Sequence, residues 1–359
     1  MNSAVMILAG GTGGHIYPAL AVAERLREQG VPLCWLGSEH GMEAGIVPRH
    51  GIPFSAVRVR GLRGRGPFGW LLAPLTVGLA TLQAVRVLLR TRPGVVLGMG
   101  GFVSGPGGLA AWLCRRPLVI HEQNAVPGLT NRLLGRIATR VLAAYPGSFA
   151  PGAAARITGN PVRGSIAGIE PPGARLHADG PVRLLVIGGS RGARSLNRGV
   201  PAALAALAGT PVEVWHQTGA ADLATTEAAY RALPLEARVA PFIEDMTAAY
   251  RWADLVVCRA GAITIAELAA VGVAAVLVPF PHAVDDHQTA NARYLADAGA
   301  AVLLPDSELV AGGLAPLLAR LLGERARLLD MATRARALAK PDAAATVARE
   351  CMELMHAQV

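Results

Sequence analysis

Short apolar runs bounded by turn residues recur along the whole chain, and the stretches between them carry apolar residues at helical spacing. VMILAG (5–10), PLCWLG (32–37), FSAVRV (54–59), GVVLGM (94–99), PLVIHE (117–122) and TRVLAA (139–144) read as strands, with helical patterns such as 18–29 and 105–115 among them. Such alternation is the βαβ rhythm of a parallel, doubly wound sheet. It stalls in Gly, Pro and Ala over PGAAARITGNPVRGSIAGIEPPG (151–173), which reads as a linker. It resumes with RLLVIGG (183–189), VEVWHQ (212–217), ARVAPF (237–242), ADLVVC (253–258), AAVLVP (274–279) and AAVLLP (300–305), and helical stretches over 306–322, 324–338 and 342–357 close the chain. The pattern predicts an α/β protein of two Rossmann-like domains, 1–160 and 161–340, with a terminal helix over 341–359 packing back on the first.

Each half opens on a similar motif. MILAGGTGGHIYPALAVAERL (6–26) and RLLVIGGSRGARSLNRGVPAAL (183–204) both run from an apolar strand through a glycine cluster into an amphipathic stretch. Glycines there expose backbone N–H groups at a helix N-terminus, where the dipole favours an anion. In doubly wound sheets ligands bind beyond the carboxyl ends of the strands, so two such domains would share one cleft. Two anion sites suit a reaction between two diphosphate-bearing substrates.

Rival motifs fit less well. A dinucleotide fingerprint needs glycine where Ile16 stands, and the second strand ends in Leu36-Gly37-Ser38 where a ribose-binding acid is expected. GPGGLA (105–110) matches that fingerprint formally without following a clear strand, and there is no Walker A lysine motif. GGSRG (188–192) has the form of a nucleophile elbow, with Asp254 and then His282 or His287 in hydrolase order, but the first half carries Thr12 at the equivalent place. A phosphate-binding hydroxyl accounts for both loops; a serine hydrolase using Ser190 stays the alternative, and a non-catalytic UDP-sugar-binding protein a third reading.

Composition narrows the partners. The formal charge of +9 is almost all arginine, which suits phosphate, while aromatics are only 4% and no Lys/Arg-rich run appears, so nucleic acid is not expected. Cys34, Cys114, Cys258 and Cys351 are scattered, with neither metal-site spacing nor CxxC pairs, and read as reduced thiols of a cytosolic protein. No basic segment precedes VMILAG, so no secretory signal is expected. The stretch GPFGWLLAPLTVGLATLQAV (66–85) is uncharged for 20 residues and flanked by Arg63, Arg65, Arg86, Arg90 and Arg92. Its apolar residues Trp70, Leu71, Leu75, Leu79 and Leu82 form a stripe at helical spacing, so it reads as a helix docking on a membrane surface rather than a span; the other reading of the stripe is core facing the sheet.

Taken together, GGTGGHIYPALAVA, WLGSEHGMEAGIVPRHGI, GLRGRG, VVLGMGGFVSGPGGLAAW, HEQNAVPGLTNR, GNPVR, GGSRGARSLN, CRAGAITIAE and VPFPHAVDDHQTANA closely resemble, in order and over almost the whole chain, the MurG family of peptidoglycan N-acetylglucosaminyltransferases. The resemblance implies a GT-B fold with an acceptor-binding, membrane-facing N-terminal domain and a C-terminal domain that holds UDP-GlcNAc. It implies inverting transfer to lipid I, no cofactor and no metal. It also implies a peripheral place on the cytoplasmic face of the inner membrane, an anionic surface as partner, and proteins of wall synthesis and division as further partners.

Site roles follow from the same resemblance. Thr12, Gly13 and Gly14 of the first turn bind UDP-GlcNAc. Ser190 and Arg163 touch the diphosphate, and the backbone of Ile243 reads the uracil. Ala262, Ile263, Thr264, Ile265 and Ala266 bind UDP-GlcNAc together with Glu267, which accepts from the ribose hydroxyls, and Asn124 and Gln288 bond the transferred sugar. His15 and Glu122 compete as the base that deprotonates the acceptor hydroxyl. His287 stands where relatives carry a second glutamine, so contacts around the donor sugar differ here.

Overall fold

The computed structural model describes residues 4–59, 73–176, 179–189, 192–207 and 209–357. The chain divides into two compact units, Met1–Arg163 with Lys340–Val359, and Gly164–Ala339.

The first unit is built on a parallel sheet of β1 (Val5–Leu8), β2 (Leu33–Ser38), β3 (Phe54–Val57), β4 (Val95–Gly98), β5 (Leu118–Glu122), β6 (Arg140–Ala143) and β7 (Arg156–Ile157), in the order β3-β2-β1-β4-β5-β6-β7. Every residue of β1, β4 and β5 is buried, as expected of strands covered on both faces, and this is why they appear as continuous apolar runs. Val5, Ile7, Leu97 and Val119 pack with the helix Gly13–Glu28 and the terminal helix Ala343–His356, whereas Met6, Leu8, Leu118 and Ile120 pack with the helices Ala73–Thr91, Ser104–Leu113 and Leu129–Leu134. Val347, Ala348 and Cys351 anchor the terminal helix in the first of these layers. Its buried Glu350 pairs with Arg140 and Arg156, and Glu353 reaches Arg140 at 2.7 Å.

The second unit repeats the plan with β8 (Val182–Ile187), β9 (Val212–Gln217), β10 (Glu236–Ala240), β11 (Leu255–Cys258), β12 (Ala274–Leu277) and β13 (Ala301–Leu303), all parallel in the order β10-β9-β8-β11-β12-β13. In both sheets the first strand is the third in the order, and the order reverses beside it, between β1 and β4 and between β8 and β11. Those two reversals are the switch points at which such sheets bind ligands.

Two details differ from the sequence reading, and a third sorts its alternatives. The stretch 151–173 is not simply a linker: it holds β7, which pairs with β6, and the passage between units falls at Arg163–Gly164. β7 has two residues, both exposed, so no apolar period betrays it. The helical stretch 306–322 is two helices, Asp306–Val310 and Leu314–Gly323, because Gly312 adopts φ +91° and ends the first. Of the uncharged stretch 66–85, residues 66–72, with Trp70 and Leu71, lie outside the described residues, as do Arg63 and Arg65. In the described part, Ala80, Ala84 and Leu88 turn into the core while Leu75, Leu79 and Leu82 are 63%, 52% and 58% exposed, so the stripe is not the face that packs on the sheet. Among the described residues no helix is long and apolar enough to cross a membrane.

Candidate active site

The first switch point is formed by two glycine-rich turns in backbone contact. After β1 the chain runs through Gly10 and Gly11, the latter at φ +92°, into the helix that begins at Gly13; after β4 it runs through Gly100 and Gly101 at φ +95° and +84°. A Cβ on Gly101 would stand 2.0 Å from the Gly10 carbonyl oxygen, so only glycine permits the approach. Ser104 Oγ fixes the second turn, accepting from the Gly100 N–H at 3.1 Å and lying 3.1 Å from the Leu8 carbonyl.

Glu43, a residue the sequence reading passed over, underlies the first turn. Fully buried, its carboxylate accepts from the Gly11 N–H at 3.0 Å, the Ser38 N–H at 2.8 Å and the Ser38 hydroxyl at 2.6 Å. A Cβ on Gly10, Gly37 or Gly41 would collide with it. The Gly11 N–H is therefore already committed, and the anion-binding capacity expected of this turn rests on the groups after it. Thr12 is the N-cap residue and makes no side-chain cap, and Gly13 and Gly14 open the helix.

His15 lies in the first turn of that helix, partly exposed. Its Nδ1 is 3.1 Å from Gln123 Oε1, and Gly100 packs so closely on its ring that a Cβ there would be 2.6 Å from Nδ1. Arg163 lies over the Tyr17 ring of the same helix, its guanidinium carbon 5.2 Å from the ring centroid. Thr12, Gly13, Gly14, His15 and Arg163 are thus gathered around one helix start.

Glu122 lies elsewhere in the same unit. Side chains alternate about the end of β5: Val119 and His121 belong to the side of the Gly13–Glu28 helix, Leu118 and Ile120 to the side of the helix Leu129–Leu134. Glu122 follows the second pair. One carboxylate oxygen accepts from the backbone and side-chain amides of Asn124 at 2.9 and 3.2 Å, the other from Gly128 N–H at 3.2 Å and Asn131 at 2.8 Å. At 2% exposure, with four donors, it is the knot of the loop 122–131, and Asn124 is tied to it.

In the second unit, the turn after β8 is as tight as the first. A Cβ on Gly192, at φ +72°, would stand 1.7 Å from the Thr218 carbonyl oxygen. Ser190 lies outside the described residues. Gln217 connects this turn to Ile243: its amide nitrogen donates to the Gly189 carbonyl at 2.9 Å and its oxygen accepts from the Ile243 N–H at 2.9 Å. The Ile243 N–H is thereby engaged inside the protein, leaving the carbonyl as the group able to read a base. The turn after β11 leads into the helix Ala262–Val271, whose N-cap is Gly261, a residue with no side chain to cap it, and whose first turn is Ala262, Ile263 and Thr264. Ile265 is buried, Ala266 half-buried, and Glu267 is 7% exposed, its carboxylate accepting from the Tyr250 hydroxyl at 3.0 Å. Gln288 Oε1 accepts from the Phe280 N–H at 2.9 Å. Among the described residues no group of three or more His, Cys, Asp or Glu side chains could hold a metal ion.

Two doubly wound parallel-sheet units, each with a glycine turn at its switch point, have the architecture of the GT-B fold. The chain belongs to glycosyltransferase family 28: the family's N-terminal domain profile matches residues 5–143 and its C-terminal domain profile residues 183–347. It is 58% identical over 356 residues to the UDP-N-acetylglucosamine--N-acetylmuramyl-(pentapeptide) pyrophosphoryl-undecaprenol N-acetylglucosamine transferase of Alkalilimnicola ehrlichii, covering 98% of this chain and 99% of that one. The enzyme of the same name from Nitrosococcus oceani is 56% identical over 353 residues, covering 98% of each. The crystal structure of MurG from Acinetobacter baumannii superposes with a TM-score of 0.85 at 41% identity, covering 98% of this chain and 99% of that one. Membership of this family gives no support to a serine hydrolase or to a non-catalytic binding module.

Proposed function

We propose that the protein moves N-acetylglucosamine from UDP-GlcNAc to the C4 hydroxyl of the muramyl sugar of lipid I, the undecaprenyl-diphosphate-linked acceptor of peptidoglycan synthesis, giving lipid II and UDP. The acceptor oxygen attacks the anomeric carbon of the donor as the bond to UDP breaks, and the hydroxyl proton passes to His15. A single inverting displacement of this kind needs no covalent nucleophile. The first unit takes the acceptor and the second the donor.

One observation carries the assignment of the base: His15 is a partly exposed imidazole held at Nδ1 by Gln123, at the mouth of the β1/β4 switch point. Glu122, with both oxygens occupied by four donors, holds the loop instead. Glu267 accepts from the ribose hydroxyls, as one carboxylate can from two neighbours. The Ile243 carbonyl reads the uracil, the start of the Ala262 helix and the turn around Ser190 take the diphosphate with Arg163, and Asn124 and Gln288 meet the transferred sugar. Full-length identity with transferases named for this reaction supports donor and acceptor alike.

The acceptor's lipid tail calls for a surface. Leu75, Leu79 and Leu82, exposed beside Arg86 and Arg90, suit peripheral docking on the anionic cytoplasmic face of the inner membrane, where proteins of wall synthesis and division would be neighbours. Incubation with radiolabelled UDP-GlcNAc and a lipid I analogue should move label into the lipid. A folded sample that binds UDP yet transfers nothing refutes the reading, and covalent capture of Ser190 by a fluorophosphonate would revive the hydrolase.

A further inference from the structure

The motif HEQN contributes more than Glu122 and Asn124. His121 and Gln123 leave β5 on the His15 side and are fully buried, at 0% and 1% exposure. They form a continuous chain of hydrogen bonds. His121 Nε2 lies 3.0 Å from the Gly159 carbonyl oxygen, Gln123 Nε2 lies 3.2 Å from His121 Nδ1, and Gln123 Oε1 lies 3.1 Å from His15 Nδ1.

The direction of this chain is fixed at its inner end. A backbone carbonyl can only accept, and the Thr158 hydroxyl, 3.2 Å from the same nitrogen, spends its own proton on that carbonyl at 3.0 Å, so His121 carries its proton on Nε2 and presents an unprotonated Nδ1. That nitrogen must receive a donor, which is the Gln123 amide nitrogen. The same amide nitrogen also lies 3.2 Å from the His121 carbonyl, a second group that can only accept, so its orientation is set twice. The amide oxygen is left towards His15 and can only accept, so His15 holds its proton on Nδ1. Nε2 then carries the lone pair. Burial holds the His121 ring neutral, its pKa lowered to about 4, as the relay needs.

Gly159 is fixed in turn. It adopts φ +80°, and a Cβ there would stand 2.3 Å from Lys340 Cβ, where the terminal segment returns to the first unit. Asn160 donates to the Gln123 carbonyl at 2.9 Å, bracing the strand end from the same GNPVR segment.

We propose that Gln123 is a positioning residue for the transfer reaction: through His121 and the Gly159 carbonyl it locks His15 as the Nδ1–H tautomer, leaving Nε2 as the atom that receives the acceptor proton. This rests on the reading of His15 as the base. The base must be unprotonated at the atom that meets the hydroxyl, and the ring's other tautomer would offer a donor there instead. Gly100, packed on the ring, holds the plane while Gln123 holds the proton.

The test is nitrogen-15 NMR of the full chain labelled in its histidine rings, with the His15 signal assigned by its loss in His15→Ala. The wild-type ring should show a protonated Nδ1 and an unprotonated Nε2 near neutral pH. In Gln123→Met this preference should be lost, kcat for transfer should fall about 10- to 100-fold, as for other groups that orient a functional histidine, and the KM for UDP-GlcNAc should stay within about twofold. Gln123→Glu keeps an acceptor towards His15, so it should retain the Nδ1–H signature and raise the acidic limb of the kcat pH profile. A wild-type His15 protonated on Nε2, or a Gln123→Met protein with an unchanged His15 tautomer or with kcat and KM lost together, overturns the proposal. Near-normal transfer by His15→Ala would instead remove the base assignment, whatever the ring's tautomer.

Discussion

Acidification from pH 7.5 to pH 5 should weaken each unit through one buried histidine. In the second unit His216, with 0% exposure, bonds the Tyr230 hydroxyl at 2.9 Å through Nδ1 and Asn197 Oδ1 at 3.1 Å through Nε2, and burial lowers its pKa from 6.5 to about 3. His121 plays the same part in the first unit, lowered to about 4. A folded-state pKa below the unfolded one means that the unfolded chain binds the extra proton, so stability is intact above pH 6.5 and falls as the pH drops towards the folded value. At pH 5 the unfolded ring is favoured by about 1.5 pH units, which is about 2 kcal/mol per histidine. With a urea slope of roughly 2 kcal/mol per molar, each unit's unfolding midpoint should drop by about 1 M. Urea unfolding followed by far-ultraviolet circular dichroism at the two pH values measures this, and His216→Gln should remove the second unit's share. Equal midpoints at both pH values, or a His216→Gln protein with undiminished pH dependence, would refute the reasoning.

Glu267→Ala should raise the KM for UDP-GlcNAc by about 10- to 100-fold, the value of one or two hydrogen bonds to a charged acceptor; kinetics at saturating acceptor check it. Replacing Leu75 and Leu79 by Ser should lower co-sedimentation with anionic vesicles while soluble-acceptor transfer persists, and wild-type binding should fall with salt because each arginine near such a surface contributes ~1 kcal/mol.

The sheets were legible because strands buried on both faces read as unbroken apolar runs, and all of the strands expected from them are present within a residue or two of the expected ends. β7 escaped because two exposed residues make no pattern, and the break at Gly312 escaped because leucines resume at helical spacing beyond it. The glycine turns were also readable, and each positive φ among them is a direct consequence of the residue type. What supports them was not. Glu43, Gln217, His121 and Gln123 act through partners between 2 and 108 positions away, and a buried polar group has no period to announce it. One signal was present in HEQN: the two-residue period of a strand end separates His121 and Gln123 from Glu122 and Asn124, and it would have set Glu122 apart from His15.

The measurement that bears most directly on the account compares transfer by His15→Ala and Glu122→Ala, each checked for fold by circular dichroism and for UDP binding by calorimetry. A positioned general base contributes about 10²- to 10⁴-fold, so His15→Ala should lose that much kcat while it binds UDP as the wild type does. Glu122→Ala, which strips four donors of their acceptor in the loop 122–131, should show its loss first as lowered stability of the first unit. Near-normal turnover by His15→Ala, beside a folded, UDP-binding Glu122→Ala protein that transfers nothing, would contradict the account.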